Sequence, residues 1–315
     1  MDPLSDLLEG VRARMAAFCQ AILDPPWALR IADGAALALA TTLQGHAWVV
    51  PDDGEPVLMR TGDVAIIKGP HPYNVGDDPA TVPDYVVRRD NRVTTMDGTD
   101  VTDALRLGPR TSGLTRDGSA IVASGTYQIG SDVTERLLNA LPPIVLVPAA
   151  EAQNPVMTLL AQEVGRDGPA QEIVLARLLD IALVATLSAW FARPDAQAPG
   201  WYRAHGDPQA GPALRLMHDD PAHPWSVEAL AAKVGCSRAA LARRFTALVG
   251  EPPITYLTHW RMALAADLLR SSDLTIETIA HRVGYGNAFA LSVAFKRIRG
   301  VSPAQYRAGD RPAAG

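Results

Sequence analysis

Residues 226–245 read Ser226-Val227-Glu228-Ala229-Leu230-Ala231-Ala232-Lys233-Val234-Gly235-Cys236-Ser237-Arg238-Ala239-Ala240-Leu241-Ala242-Arg243-Arg244-Phe245. Ser226 can cap a helix with its hydroxyl, and Glu228 places a negative charge in the first turn, where the helix dipole favours it. Gly235 supplies the positive-φ residue that ends a short helix. Ser237 then opens a second helix, so the stretch predicts helix, tight turn, helix.

The pattern recurs. Ala231, Val234 and Gly235 return 49 positions later as Ala280, Val283 and Gly284, and Leu241, Phe245, Gly250, Pro253 and Tyr256 return 50 positions later as Leu291, Phe295, Gly300, Pro303 and Tyr306. The second copy brings its own caps, Thr275 with Glu277 and then Asn287, and its turn is one residue longer. One helix-turn-helix signature is weak evidence; two at one spacing predict a pair of nucleic-acid reading heads.

Helical periodicity separates the core face from the reading face. In the first copy Leu241, Phe245 and Leu248 form the core stripe, leaving Ala239, Ala242, Arg243 and Thr246 outward with Arg238 and Arg244 at the borders. In the second, Leu291, Phe295 and Ile298 are core, and Phe289, Ser292, Val293 and Lys296 face outward behind the cap Asn287. An outward Arg can bind guanine O6 and N7 together, worth about 1–3 kcal/mol of base discrimination. Lys296 and the flanking arginines suit phosphates, and Phe289 and Val293 suit a thymine methyl. A connecting helix over roughly 253–270 would hold the two heads on successive major-groove faces about 34 Å apart.

Charge supports the division. The chain of 315 residues carries a net −5, which by itself argues against a polyanionic partner. From residue 211 onward there are 13 Lys and Arg against 8 Asp and Glu, a balance of +5; the first 210 residues hold the remaining 16 and 26, a balance of −10. The basic portion is the one with the reading heads. An apolar share of 48% and a charged share of 20% exclude a disordered, collagen-like or rod-like chain. Cys19 and Cys236 form no Cys-x-x-Cys pair, which argues against a thiolate metal site or a disulfide scaffold. No basic-then-apolar leader stands at the N-terminus, and Arg177 and Asp180 interrupt the most apolar stretch, so no membrane span and a cytoplasmic setting are expected.

Upstream, Leu4–Leu23 has apolar residues at helical steps and predicts a helix ended by Pro25-Pro26. Short β-type runs follow at Ala35–Thr42, Ala47–Val50, Val57–Met59, Val64–Lys68, Tyr85–Val87, Ala120–Tyr127 and Ile144–Val147, the spacing of a sandwich or barrel. Asp90–Thr115 lacks periodicity and reads as a loop. Helices return over Asn154–Val164 and Pro169–Phe191; the second is apolar nearly all round and must be covered inside its own domain or by a partner subunit.

These residues resemble the AraC/XylS family of bacterial transcriptional regulators. The likeness rests on Trp225 to Ala231, Ser237 to Phe245, Tyr256-Leu257, Trp260-Arg261-Met262, Ile279-Ala280 through Gly284-Tyr285, Phe295-Lys296-Arg297, Gly300-Val301-Ser302-Pro303 and Tyr306-Arg307. It implies that the first recognition helix makes most base contacts, at Ala239, Ala242 and Arg243. Ala239 and Ala242 replace larger readers and Val293 replaces an Arg, so specificity is expected to lean on Arg243. The N-terminal part is similar to a cupin-type sensor domain, through His46-Ala47-Trp48-Val49, Thr61 to His71, Ser124 to Tyr127 and Leu141-Pro142-Pro143.

The resulting expectation is an α+β chain of two domains: 1–200, a cupin-like β-barrel (about 27–148) with flanking helices (154–191), and 207–310, an all-α domain with two helix-turn-helix motifs. Promoter DNA is the expected partner, with RNA polymerase a further candidate, a small effector in the barrel mouth near His46, Trp48, His71 and Tyr73, and a homodimer through 169–191. His46, Glu55, His71 and Asn74 overlap loosely with metal-cupin ligand positions, but the paired His-x-His is broken by Trp48, so no metal, cofactor or catalytic residue is assigned. The competing reading is a cupin metalloenzyme of dioxygenase or isomerase type fused to a DNA-binding module.

Overall fold

The computed structural model describes residues 18–127, 132–152, 155–193, 196 and 198–309. The described residues form two compact units, one built from 18–127 and from those between 141 and 196, the other from 132–140 and 198–309.

The first unit contains strands β1 (Phe18–Leu23), β2 (Ala28–Ile31), β3 (Leu37–Gln44), β4 (His46–Pro51), β5 (Val57–Arg60), β6 (Val64–Lys68), β7 (Tyr73–Gly76), β8 (Tyr85–Val87), β9 (Val93–Thr95), β10 (Arg106–Gly108), β11 (Thr111–Gly113) and β12 (Ala120–Tyr127). Helix α1 (Asp132–Asn139) follows and belongs to the second unit; β13 (Ile144–Val147), α2 (Ala149–Ala152), α3 (Pro155–Val164) and α4 (Gln171–Phe191) return to the first. The strands form a seven-stranded sheet, β10-β11-β1-β12-β3-β6-β13, and a six-stranded sheet, β5-β4-β7-β2-β8-β9. The expected barrel is therefore corrected: two separate sheets face one another, and one apolar core cluster joins Ala38, Ala40, Ala65 and Ile67 of the first to Val49, Met59 and Val75 of the second.

Two other expectations change. Phe18–Leu23 is a strand and not the end of a helix, because it pairs antiparallel with β12 and parallel with β11, and those ladders outweigh local helical spacing. The remainder of that expected helix lies outside the described residues. The expected loop Asp90–Thr115 holds β9, β10 and β11, strands of three residues each, too short to show periodicity.

Pleat alternation gives β12 two roles. Val122, Ser124 and Thr126 face the space between the sheets, while Gly125 and Tyr127 meet α4: the Tyr127 hydroxyl donates to Leu179 O at 2.7 Å, and a Cβ on Gly125 would lie 2.5 Å from Leu179 Cδ2. Helix α4 buries Leu175, Leu178, Leu179, Ala182, Leu183, Thr186, Leu187 and Phe191. By length and composition it could cross a membrane, yet its Arg177 and Asp180 pair at 3.2 Å and it packs on α3 and β13 as a core helix does. Ile173, Val174, Ile181 and Val184 stay exposed on it.

The second unit continues with α5 (Gly200–His205), α6 (Ala210–Asp219), α7 (Val227–Val234), α8 (Arg238–Val249), α9 (Pro253–Ser271), α10 (Ile276–Arg282), α11 (Ala288–Arg299) and α12 (Pro303–Gly309). Helix α9 supplies core to both halves. On one side Phe245 meets Tyr256 edge-on at 5.8 Å, and His218 lies 4.2 Å from Trp260 with Nε2 2.8 Å from the Tyr256 hydroxyl. On the other, Met262, Ala265, Ala266 and Leu269 pack with Ile279, Leu291 and Phe295, and Phe295 meets Tyr306 edge-on at 5.4 Å. The sequence repeat is thus repeated in packing, down to an interplanar angle of 72° in both aromatic pairs. Helix α1 rests on α9, with Val133 and Leu137 buried and the Val133 amide donating to Asp267 Oδ2 at 3.3 Å.

Candidate DNA-binding face and ligand cavity

All four expected caps are made. Ser226 accepts from the Ala229 amide, Ser237 from Ala240, Thr275 from Thr278 and Asn287 from Ala290, at 2.8–3.2 Å. Gly235 (φ 74°) and Gly284 (φ 82°) sit left-handed in the two turns, where a side chain would be strained. Glu277, which sequence reasoning treated only as a dipole partner, also accepts from the Ala288 amide at 2.7 Å and so joins α10 to the start of α11. Arg261 donates to Pro221 O and His223 O at 2.7 and 2.8 Å, and a Cβ on Gly284 would meet its Nη2 at 2.7 Å.

The outward faces of α8 and α11 separate the arginines. Leu241, Phe245, Leu291 and Phe295 are fully buried, which turns the opposite stripes to solvent. Arg243 is exposed and engages no other group among the described residues. Arg238 pairs with Glu228 at 2.7 Å across the turn, both side chains largely exposed. Arg244 is engaged by a buried carboxylate: its Nε and Nη2 both reach Asp207 Oδ2 at 2.7 Å, while its own side chain stays half-exposed. Burial alone would raise the Asp207 carboxyl, but the Ala210 and Gln209 amides and Arg244 hold it below the usual carboxylate range. Ala239 is exposed beside Arg243, and Ala242 and Thr246 are half-buried. On α11, Phe289 and Val293 are 79% and 55% exposed, Ser292 is half-buried, and Lys296 is exposed one turn beyond Val293. Apolar side chains that stand this far into water on a capped helix are available to a partner.

The first unit encloses a cavity of about 410 Å³ between its sheets. Its walls are mainly apolar, with Tyr73, Asp33, Cys19 and Ser124 among the polar members. Burial pushes the Tyr73 hydroxyl and the Cys19 thiol up from their ordinary values, with the nearby Asp33 charge adding to it. Of the four residues expected near an effector, Tyr73 lines the cavity and His46, Trp48 and His71 do not. On β4, Ala47 and Val49 point inward, so His46 and Trp48 fall on the opposite face; His46 Nε2 lies 3.2 Å from Asp77 O, and His71 is exposed before β7. Cys19, Trp27 and Asp33 were missed because they lie in the misread β1 and in the β1–β2 and β2–β3 connections. Asn74, one of the loose metal-cupin positions, accepts from Arg30 at 3.1 Å. Among the described residues no group of three His, Cys, Asp or Glu could hold a metal.

A two-sheet domain followed by a helical unit with a duplicated capped helix pair is the layout of a DNA-binding regulator with an appended N-terminal domain. The cupin family matches residues 2–192 and the helix-turn-helix domain family matches residues 230–309. An AraC-like transcription regulator of Streptomyces lividans is 34% identical over 98% of each chain, and the HTH-type transcriptional regulator AlkR of Acinetobacter baylyi is 28% identical over 98% of this chain and 99% of its own. The DNA-binding domain of AdpA, solved in complex with a target DNA, is 35% identical over 35% of this chain and all of that one, at a TM-score of 0.32. The chain belongs to the AraC-like transcription regulators: it is a DNA-binding regulator, and its relatives do not favour the metalloenzyme reading.

Proposed function

We propose that the chain binds promoter DNA sequence-specifically through two helix-turn-helix units and that a small molecule in the N-terminal cavity controls this binding. The observation that carries the reading is the duplicated, capped helix pair with an exposed, uncommitted Arg243 on α8 and exposed Phe289 and Val293 on α11. Arg243 reads a guanine, with Ala239 and Ala242 leaving room for it to reach the base edge. Phe289 and Val293 meet thymine methyls, Ser292 and Asn287 sit beside them, and Lys296 holds a phosphate. Arg238 and Thr246 flank the contact at the groove wall. Arg244 positions α8 from within through Asp207.

In this reading 1–200 is the sensing and dimerising part and 207–310 the DNA-binding part, acting in the cytoplasm. The exposed Ile173, Val174, Ile181 and Val184 of α4 form the homodimer contact, which brings two DNA-binding units to one operator. Binding-site selection with the full chain, followed by titration of the selected duplex, tests the proposal. Arg243→Ala is expected to lose about 1–3 kcal/mol on the selected site and to relax the preference at one base pair. Unaltered selectivity would refute the assignment of Arg243.

A further inference from the structure

The charge pattern of the cavity limits what can enter it. Among the described residues no Lys, Arg or His lines it, and the charged members are Asp24, Asp33 and Asp84. Asp24 and Asp84 are exposed, while Asp33 is half-buried and accepts from the Ala35 amide at 2.9 Å. An anion here would give up hydration, find no cation among the described lining residues and meet a carboxylate, which is among the costlier arrangements in an apolar space. Two donors among the lining residues make no hydrogen bond to the described residues: the Tyr73 hydroxyl and the buried Trp27 Nε1. Burial keeps the Tyr73 hydroxyl protonated, so it offers an O–H. A volume of about 410 Å³ falls in the range of small-molecule sites.

We propose that the cavity binds an uncharged, largely hydrocarbon molecule carrying a hydrogen-bond acceptor such as a ketone or ester, with the Tyr73 hydroxyl as the donor to it, and that it rejects the matching carboxylate. The proposal names the ligand class for the effector reading above and rests on it only for the consequence at DNA. Calorimetric titration of the full chain with 2-acetylnaphthalene, 2-naphthoate and naphthalene tests it. The ketone is expected to bind at least about tenfold more tightly than the carboxylate. Tyr73→Phe should weaken the ketone by about three- to tenfold and leave naphthalene unchanged, the size of one lost hydrogen bond. Asp33→Asn, which keeps an acceptor for the Ala35 amide, should improve naphthoate several-fold and leave the ketone within about twofold.

Equal or tighter binding of naphthoate by the unaltered chain, or no binding of any of the three, overturns the ligand class. Loss of naphthalene together with the ketone in Tyr73→Phe overturns the role of the hydroxyl. Ketone binding with no change in affinity for the selected duplex leaves the ligand class standing and refutes effector control.

Discussion

Replacing Asp207 with Ala should loosen the C-terminal unit at the start of α6 and, through Arg244, at α8. The carboxylate is 5% exposed and makes two kinds of contact: Oδ1 accepts from the Gln209 and Ala210 amides at 3.0 and 2.8 Å at the start of α6, and Oδ2 receives Arg244. Loss of a helix-capping acceptor costs about 1 kcal/mol, at most about 2. The ion pair adds only about 0.5 kcal/mol, because the Arg244 side chain is 55% exposed and solvent screens it. The sum, about 1.5–2 kcal/mol, corresponds to a roughly 10- to 30-fold larger population of locally opened α6. Hydrogen exchange read by mass spectrometry on the full chain measures this directly, with peptides over 210–219 losing protection by that factor while β3 and β12 keep theirs. Asp207→Asn retains an acceptor for the amides and should lose less than about fivefold. Protection over 210–219 that is unchanged in Asp207→Ala would refute the reasoning that the carboxylate fastens α6 and, through Arg244, α8.

The same carboxyl gives a pH dependence. Its folded value is lowered, so its contribution is full above the ordinary carboxyl value of about 3.9 and is lost as pH falls through the folded value; urea midpoints of the C-terminal unit should drop below about pH 4, and less steeply in Asp207→Asn. Gly69→Ala would set a Cβ 1.9 Å from the Ala35 carbonyl oxygen, a backbone atom that cannot rotate away, so thermal melts should show the N-terminal unit destabilised by about 2–3 kcal/mol. Lys296→Ala should weaken selected and unrelated duplexes alike and reduce the salt slope of binding by about 1, measured by titration across salt concentrations. Ile173 and Ile181, 63% and 53% exposed, replaced together by Glu should turn a dimer into a monomer in sedimentation of the full chain; an unchanged sedimentation coefficient would place the subunit contact elsewhere.

The C-terminal unit was legible because its information is local. Ser226, Ser237, Thr275 and Asn287 cap the helices that follow them within three residues, and glycine marks both turns, so a reader needs only short windows. The fate of the arginines was not legible. Arg238, Arg243 and Arg244 look alike on a helical wheel, and what separates them is Glu228 ten residues away and Asp207 thirty-seven residues away. In the N-terminal unit the strands with strong apolar runs, β6, β8, β12 and β13, appear where expected. β1 and β2 exist through sheet neighbours 40 or more residues away, which no short window contains, and β9 to β11 are three-residue strands too short to carry an alternation. Likeness to a motif points to His46, Trp48 and His71 at the mouth of the domain, whereas pleat alternation assigns the inward positions of β4 to Ala47 and Val49.

Helix α1 follows β12 in the chain yet rests on α9, where the Val133 amide meets Asp267 and Val133 and Leu137 are buried. No single cut in the polypeptide therefore releases the DNA-binding half intact. A hybrid gene joined near residue 197 pairs the incoming Asp267 surface with a foreign α1, so the N-terminal domain of this chain can be exchanged intact only if the eight residues of α1 and their seat on α9 travel together.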